Sequence, residues 1–268
     1  MPCLHDKECL MRCCVRLTIP MLCSLLAACA STQSAEESRL LKLADDIAAH
    51  GDYATAASMY ERAAEVPGGD GVDIHVRLGD AKLAAGDFLG AVDSYRAALK
   101  QDINNADALF GLGSAQLRLG KVESAERNLR HAAPKIDTPA AWSRLGAAQA
   151  LLGQGDASVT DFSRAVELAP DDADLQTNLA VAQALAGRGS EAVALMRDVT
   201  ASPLAEERHF RSLILVLVMA GDDAQAQSIR IPDMPVSRRQ SLIERAQQIR
   251  DISTPSEQAR AIGLAMNQ

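Results

Sequence analysis

The chain has 268 residues, of which 48% are hydrophobic, so it is long enough to bury a substantial core without relying on cross-links. Aromatic residues make up only 3%, and the abundance of alanine, leucine and charged residues favours helices, because these side chains lose little rotamer freedom there. The formal net charge is −8 at pH 7 and no long basic run occurs, which argues against nucleic acid as a partner.

The N-terminal segment has the features of a targeting sequence. Two arginines precede a short apolar stretch, residues 17–28, that ends in small side chains. This pattern predicts a signal peptide over residues 1–28, with translation starting at Met1 or Met11. All six cysteines also lie in this part of the chain, so no disulfide framework or zinc cluster is expected in the rest. The cysteines are Cys3, Cys9, Cys13, Cys14, Cys23 and Cys29.

Cys29 closes the apolar segment in the sequence Leu26-Ala27-Ala28-Cys29, which resembles the lipobox of bacterial lipoproteins. The resemblance implies that Cys29 is lipidated and anchors the chain, since each buried methylene contributes about 0.8 kcal/mol to membrane binding. The alternatives are an ordinary signal peptide or a membrane helix, although a spanning helix needs about 20 apolar residues. Ala30, in place of the aspartate that retains many lipoproteins in the inner membrane, implies an outer-membrane protein that faces the periplasm.

Residues 29–36 are small and polar and are predicted to form a lipidated tether. A repeat follows over residues 37–235, with a glycine every 33 to 35 residues and a leucine eight positions before each glycine. The glycines are Gly51, Gly86, Gly120, Gly153, Gly187 and Gly221. The leucines, which we expect in the core, are Leu43, Leu78, Leu112, Leu145, Leu179 and Leu213.

Further columns define a helix pair in each repeat. The residue after the leucine is small in five repeats, and another small residue follows each glycine by five positions. A larger side chain comes four positions later, at Tyr60, Tyr95, Leu129, Phe162 and Met196. The leucine and its small neighbour are predicted to lie on a first helix, the glycine in a turn, and the larger side chain on the buried face of a second helix. One pair cannot bury its apolar face alone, so neighbouring pairs must stack.

These columns resemble the tetratricopeptide repeat (TPR). The resemblance implies an all-α superhelical solenoid of about six helix-turn-helix repeats, with cap residues before several first helices at Asn104-Asn105, Thr138-Pro139 and Asp171-Asp172. The sixth repeat departs from the pattern, because Pro232 and Pro235 should end its second helix early. Residues 236–268 are predicted to form C-terminal capping helices, one over 236–252 and a short one after Thr254.

No arrangement typical of catalysis or metal binding is recognisable in the repeats. Histidines 50, 75, 131 and 209 lie in different repeats, without a carboxylate or serine at the spacing of a triad or a metal site. Glycine pairs that mimic parts of phosphate loops belong to the repeat columns. We therefore expect a non-enzymatic protein without catalytic residues, metals or cofactors.

In TPR folds a stripe along each first helix lines the concave surface, and this stripe predicts a peptide-binding groove. Its apolar members would supply contact area and its arginines and asparagine would orient a bound segment. Phe110 is the predicted hot spot, because it has the most apolar surface to bury. For any single arginine the competing interpretation is a solvated helix face. The predicted groove residues are Arg77, Phe110, Leu117, Arg144, Asn178, Val181, Arg211 and Leu215.

The run Asn178-Leu-Ala-Val-Ala-Gln-Ala-Leu-Ala-Gly-Arg-Gly-Ser-Glu-Ala-Val, followed by the helix after Pro235, is similar to the C-terminal half of TadD-like proteins. These are TPR lipoproteins of the tight-adherence (Flp) pilus assembly system. The resemblance implies a protein-interaction scaffold that helps the outer-membrane secretin to assemble. The alternatives are a type IV pilus pilot, another outer-membrane assembly lipoprotein, or an adaptor or regulator of a cell-wall enzyme.

Overall fold

The computed structural model describes residues 36–66 and 70–263, and within them the chain forms fourteen helices and no strand. The all-helical class predicted from composition and repeat pattern is therefore confirmed. The first four helices are α1 (36–49), α2 (Tyr53–Glu65), α3 (Val72–Ala84) and α4 (Phe88–Gln101). The next six are α5 (Ala106–Arg118), α6 (Val122–Ile136), α7 (Pro139–Leu151), α8 (Gly155–Leu168), α9 (Ala173–Leu185) and α10 (Gly189–Ala201). The last four are α11 (Glu207–Met219), α12 (Asp223–Ser228), α13 (Val236–Arg250) and α14 (Pro255–Ile262).

The helices belong to two compact units, which we describe separately. The N-terminal unit ends at Ile103 and contains α1–α4, and the C-terminal unit begins at Asn104 and contains α5–α14. Odd-numbered helices up to α11 are the first helices of the six repeats, and even-numbered helices up to α12 are the second helices. In the C-terminal unit each of the first helices α5, α7 and α9 contacts the next first helix along the chain.

The glycine of each repeat ends the first helix in a left-handed conformation. All six glycines of the column have φ between 71° and 85°. At Gly120 the glycine N–H donates to the Leu117 carbonyl (2.9 Å) and the Lys121 N–H donates to the Gln116 carbonyl (2.8 Å). These are the two hydrogen bonds of a Schellman motif, which needs a residue that tolerates positive φ. The turn predicted from the glycine column is confirmed.

The predicted cap residues begin the first helices of repeats three to five. Asn105, Thr138 and Asp172 are the N-caps of α5, α7 and α9, and each side chain accepts a hydrogen bond from the backbone N–H three residues later. These bonds satisfy donors that a helix start leaves unpaired. In repeat six, α12 ends at Ser228, ahead of the two prolines, as the sequence predicts.

The two helices of a repeat approach most closely where a glycine faces a large side chain. A Cβ atom at Gly146 would lie 2.8 Å from the Phe162 ring, and one at Gly113 would lie 2.6 Å from Leu129 Cγ. Neither Phe162 nor Leu129 retains any exposed surface. The large residue of the second helix therefore fills the space that the glycine of the first helix leaves open.

The column of leucines is buried with one exception. Leu43 is 48% exposed, so the prediction that it lies in the core is wrong. It belongs to α1, and no helix before α1 is described that could cover this side chain. The buried leucines are Leu78, Leu112, Leu145, Leu179 and Leu213.

Polar pairs also join the two helices of repeats three and four. In repeat three Asn128 Nδ2 donates to Gln116 Oε1 at 2.8 Å. In repeat four the same positions hold Gln149 and Asp161, both buried, and one oxygen of each side chain has no hydrogen-bond partner among the described residues. Burial raises the pKa of Asp161 to about 6, although a hydrogen bond with Gln149 favours its ionised form.

The C-terminal helices pack on the first helices of the last repeats. Helix α13 contacts α11 and α12, and α14 contacts α7 and α9. Thr254 caps α14 by accepting the Glu257 N–H, as the sequence predicts, and Ala259 is fully buried. The chain thus covers the sixth repeat with α13 and then turns back with α14 along the first-helix side of the C-terminal unit.

We predict that Gly146→Ala lowers the free energy of unfolding by about 1–2 kcal/mol, because overlap with Phe162 outweighs the better helix propensity of alanine. Phe162→Met should offset much of this loss, since repeat five already combines Ala180 with Met196, both essentially without exposed surface. Urea unfolding of the two single variants and the double variant measures the coupling. Strictly additive effects would contradict this packing.

We also predict that Asp161→Asn stabilises the fold at neutral pH. The folded-state pKa of Asp161 lies above the ordinary value of 3.8, so the folded chain holds the proton more tightly and stability falls as pH rises from about 4 to about 6. Asparagine removes this loss and can donate to Gln149, as Asn128 does to Gln116. We expect a gain on the order of 1–3 kcal/mol above about pH 7 and little gain near pH 4.

Asn128→Asp is the matched control, because it places the same carboxylate beside Gln116. It should destabilise the chain at neutral pH and less at low pH, as measured by urea unfolding across that range. An Asp161→Asn gain of equal size at every pH would show that ionisation is not its cause.

Candidate protein-binding surface

Arg77 of the N-terminal unit is held by two carboxylates. Its Nη1 lies 2.8 Å from both carboxylate oxygens of Asp45, and its Nε lies 2.8 Å from Asp73 Oδ2. The Tyr60 hydroxyl also donates to Asp45 at 2.6 Å. Burial opposes ionisation of Asp45, but these hydrogen bonds outweigh it, and the pKa of Asp45 lies below its usual value. Arg77 therefore links the first helices of repeats one and two, and its charge is largely offset.

Phe110 and Arg144, predicted as separate groove residues, contact each other in the C-terminal unit. The Arg144 guanidinium lies 4.7 Å from the centroid of the Phe110 ring, which is the geometry of a cation–π interaction. Phe110 is half-buried and packs against the core cluster. One face of the predicted hot spot is thus already covered by the arginine from the next repeat.

Leu117 and Val181 retain little surface for a partner. They are 7% and 5% exposed, and both belong to the core of the C-terminal unit. Val181 still forms part of the wall of a cavity on the first-helix side, whereas Leu117 serves the packing of repeat three.

The structure brings four predicted groove residues together in one cavity of about 590 Å³ in the C-terminal unit. Asn178 and Val181 come from α9, and Arg211 and Leu215 come from α11. Further lining residues come from α13 and α14, and none of them is among the predicted groove residues. The arginines and apolar positions of residues 236–252 indicated a helix, but nothing in its pattern showed which surface it would face.

One arginine of this cavity is fixed by an ion-pair network. Arg208 Nε donates to Asp174 Oδ1 at 2.8 Å, and its Nη1 donates to Glu206 at 2.6 Å. His209 is buried, and its Nδ1 accepts the backbone N–H of Glu206, so its Nε2 carries the proton that is donated to Asp174 at 3.1 Å. Burial opposes ionisation of Asp174, but the hydrogen bonds from Arg208 and His209 outweigh it and lower its pKa.

Other donors on the cavity wall remain available to a ligand. Arg211 Nη1 lies 3.9 Å from Glu207, which is too long for a hydrogen bond. The side chains of Arg245 and Asn178, which also line the cavity, have no hydrogen bond or ion pair with any residue in the described part of the chain. The Arg245 guanidinium and the Asn178 amide are therefore free to bind a carboxylate and a peptide backbone, and Arg211, which forms only a long ion pair with Glu207, keeps its hydrogen-bond donors for a ligand.

Comparison with known proteins shows the family. Residues 41–105, 76–141 and 144–206 match the family model of the tetratricopeptide repeat, which together is more than half of the chain. The chain belongs to the tetratricopeptide repeat family. TPR folds typically serve as non-catalytic scaffolds that bind other proteins.

Individual TPR proteins resemble the chain over different lengths. Cellulose synthase operon protein C of Xanthomonas axonopodis pv. citri (strain 306) is 31% identical over an alignment of 188 positions, which covers 63% of this chain but only 12% of that protein. The structure of a TPR protein from Parabacteroides merdae ATCC 43184 aligns with a TM-score of 0.62 and 17% identity, over 87% of this chain and 99% of that one. Pseudomonas aeruginosa PilF aligns with a TM-score of 0.59 and 16% identity, over 73% and 90%. At such identities the two structures show the fold alone.

The remaining sequence predictions concern the N-terminal segment and metal sites. Cys29, the signal peptide and nearly all of the predicted tether lie outside the described residues, and residue 36 already belongs to α1. Within the described part of this TPR chain, no helix is long and apolar enough to cross a bilayer. Likewise, no three histidine, cysteine or acidic side chains among residues 36–66 and 70–263 are grouped as metal ligands.

Proposed function

We propose that this TPR protein is a non-enzymatic scaffold of the bacterial outer membrane that binds an envelope protein through the first-helix side of its C-terminal unit. Cys29 would carry the lipid anchor and the repeats would face the periplasm. The observation that carries the proposal is the cavity on this side, which combines apolar walls with the unpaired donors of Asn178 and Arg245. Such a combination gives a partner both contact area and orientation.

The partner we propose is a secretin subunit or another component of a Tad/Flp pilus assembly apparatus. The support for this choice is the resemblance of the segment starting at Asn178 to TadD-like proteins, together with the fold shared with PilF. A type IV pilus pilot or another outer-membrane assembly lipoprotein would use the same surface in the same way. The fold alone does not choose between these systems.

A second candidate function is an envelope adaptor or regulator for an enzyme of the cell wall or of polysaccharide synthesis. It is favoured by the 31% identity with cellulose synthase operon protein C. This identity covers only 12% of that protein, so the comparison concerns its repeats. The identity of the captured partner separates the two candidates.

Photo-crosslinking in cells tests the binding surface. A crosslinking amino acid at position 110 or 211 should trap the same envelope protein, since both positions lie on first helices of the C-terminal unit. The crosslinking amino acid in place of Asp198, an exposed position of the second helix α10, is the control and should trap the envelope protein far less. Capture from position 198 alone would contradict the proposed surface.

Loss of the Phe110–Arg144 pair should weaken partner capture. We expect that Phe110→Ala combined with Arg144→Ala reduces capture about ten-fold or more, as hot-spot truncations do. Circular dichroism and urea unfolding check that the variant remains folded. If the folded double variant captures its partner and supports pilus assembly normally, these two residues are not part of the binding surface.

Lipidation can be tested with a clickable fatty acid. Cys29→Ser should abolish the label and release the protein into the soluble fraction, because the acyl chains provide the anchoring free energy. Cys23→Ser is the matched control and should keep both the label and the membrane association. Label that persists in Cys29→Ser would place the modification elsewhere.

A further inference from the structure

The cavity of the C-terminal unit is lined by helices from two different parts of the fold. Helices α9 and α11 contribute repeat residues, and α13 and α14 contribute residues that follow the last repeat. Its volume of about 590 Å³ lies within the range of roughly 300–1,000 Å³ that is typical of ligand sites. The space is therefore large enough for a short piece of a partner chain.

Apolar side chains from two helices form part of the cavity wall. Leu215 of α11 and Leu242 of α13 are half-buried, and Ile249 of α13 is buried. Because these side chains come from both α11 and α13, an apolar group that contacts them would lose part of its water-exposed area. Such burial contributes about 25 cal/mol for each Å² of apolar surface.

The cationic groups of the cavity come from both walls as well. Arg211 lies on α11 and Arg245 on α13, whereas Arg208 is already engaged by Asp174 and Glu206. A guanidinium presents its donors in a planar fork that matches a carboxylate. Asn178 adds an amide that can both donate to and accept from a peptide backbone. The chain as a whole carries a net charge of −8, which does not attract an acidic ligand from a distance. The attraction therefore comes from the arginines of the cavity and acts only at short range.

We propose that this cavity binds a carboxylate-bearing, partly apolar peptide segment of the partner protein. Arg211 and Arg245 would hold the carboxylate, Asn178 would bond the adjoining backbone, and Leu215, Leu242 and Ile249 would surround an apolar side chain. The proposal rests on the proposed function in one respect, which is that a protein binds the first-helix side of the C-terminal unit. Arg245 and Ile249 lie outside the repeats, so the site depends on this chain's own C-terminal helices.

Fluorescence anisotropy with a labelled library of short peptides rich in glutamate and leucine tests the proposal. The library is used in three forms, with a free carboxyl end, with an amidated end, and with glutamine replacing glutamate. Arg211→Gln and Arg245→Gln should each weaken binding about ten-fold, as expected for loss of hydrogen bonds to a charged group. Arg230→Gln, at an exposed position outside the cavity, is the control and should bind like the unchanged chain.

The peptide forms identify the source of the carboxylate. Loss of binding on amidation assigns the site to a chain end, and loss on glutamine replacement assigns it to an acidic side chain. Binding that survives both changes, or that is indifferent to Arg211→Gln and Arg245→Gln, would overturn the proposal.

A disulfide that links α14 to position 153 tests whether peptides bind the cavity while α14 remains in place. A Cβ atom at position 153 would lie 3.7 Å from Ser256 Cβ, a distance that suits a disulfide between Gly153→Cys and Ser256→Cys once the six N-terminal cysteines are replaced by serine. Because Gly153 has a φ of 73°, cysteine there strains the turn, and circular dichroism must first show that the reduced variant is folded. The oxidised protein should bind the free peptides as tightly as its own reduced form. Loss of binding on oxidation would mean that α14 must leave, and would contradict a site that includes it.

Failure of this inference can be distinguished from failure of the proposed function. If crosslinking from position 211 captures an envelope partner while the arginine variants bind peptides and partner normally, the surface is right and the carboxylate site is wrong. If position 211 captures no partner but the peptides bind in an arginine-dependent way, the ligand site is right and the proposed function fails.

Discussion

The architecture of the first five repeats depends on the close approach of the two helices within each of them. A glycine or alanine on the first helix leaves room for a large side chain from the second, as with Gly146 and Phe162. Because that contact fixes how each first helix is rotated about its axis, it also fixes which residues point away from the pair. Asn178 on α9, where Ala180 faces Met196, reaches the cavity wall for this reason, although it takes no part in the contact itself.

The C-terminal helices change what that outward-facing surface can do. An uncovered row of first helices would offer a partner an open surface, but α13 and α14 lie on the same side and enclose a cavity with it. They also add Arg245, whose charge is not offset by any residue in the described part of the chain. In the N-terminal unit, by contrast, Arg77 is already held by Asp45 and Asp73, so its donors serve the fold.

The sequence predicts local structure well because local structure has local causes. The glycine column predicts the turn within each repeat, and the cap residues mark the starts of α5, α7 and α9, since each signal acts within a few residues. Contacts between distant segments were not predictable in this way. The exposure of Leu43 depends on what covers α1, the contact of Phe110 with Arg144 joins adjacent repeats, and the position of α14 depends on the path taken after α13.

Hydrogen–deuterium exchange on the full chain, with and without its captured envelope partner, tests most directly whether the first-helix side of the C-terminal unit is the binding surface. Binding should slow exchange in α9, α11 and α13, where backbone opening would disturb the cavity walls. The second helices α8 and α10 should exchange as before. Protection confined to α8 and α10, with α9, α11 and α13 unchanged, would contradict the proposed surface.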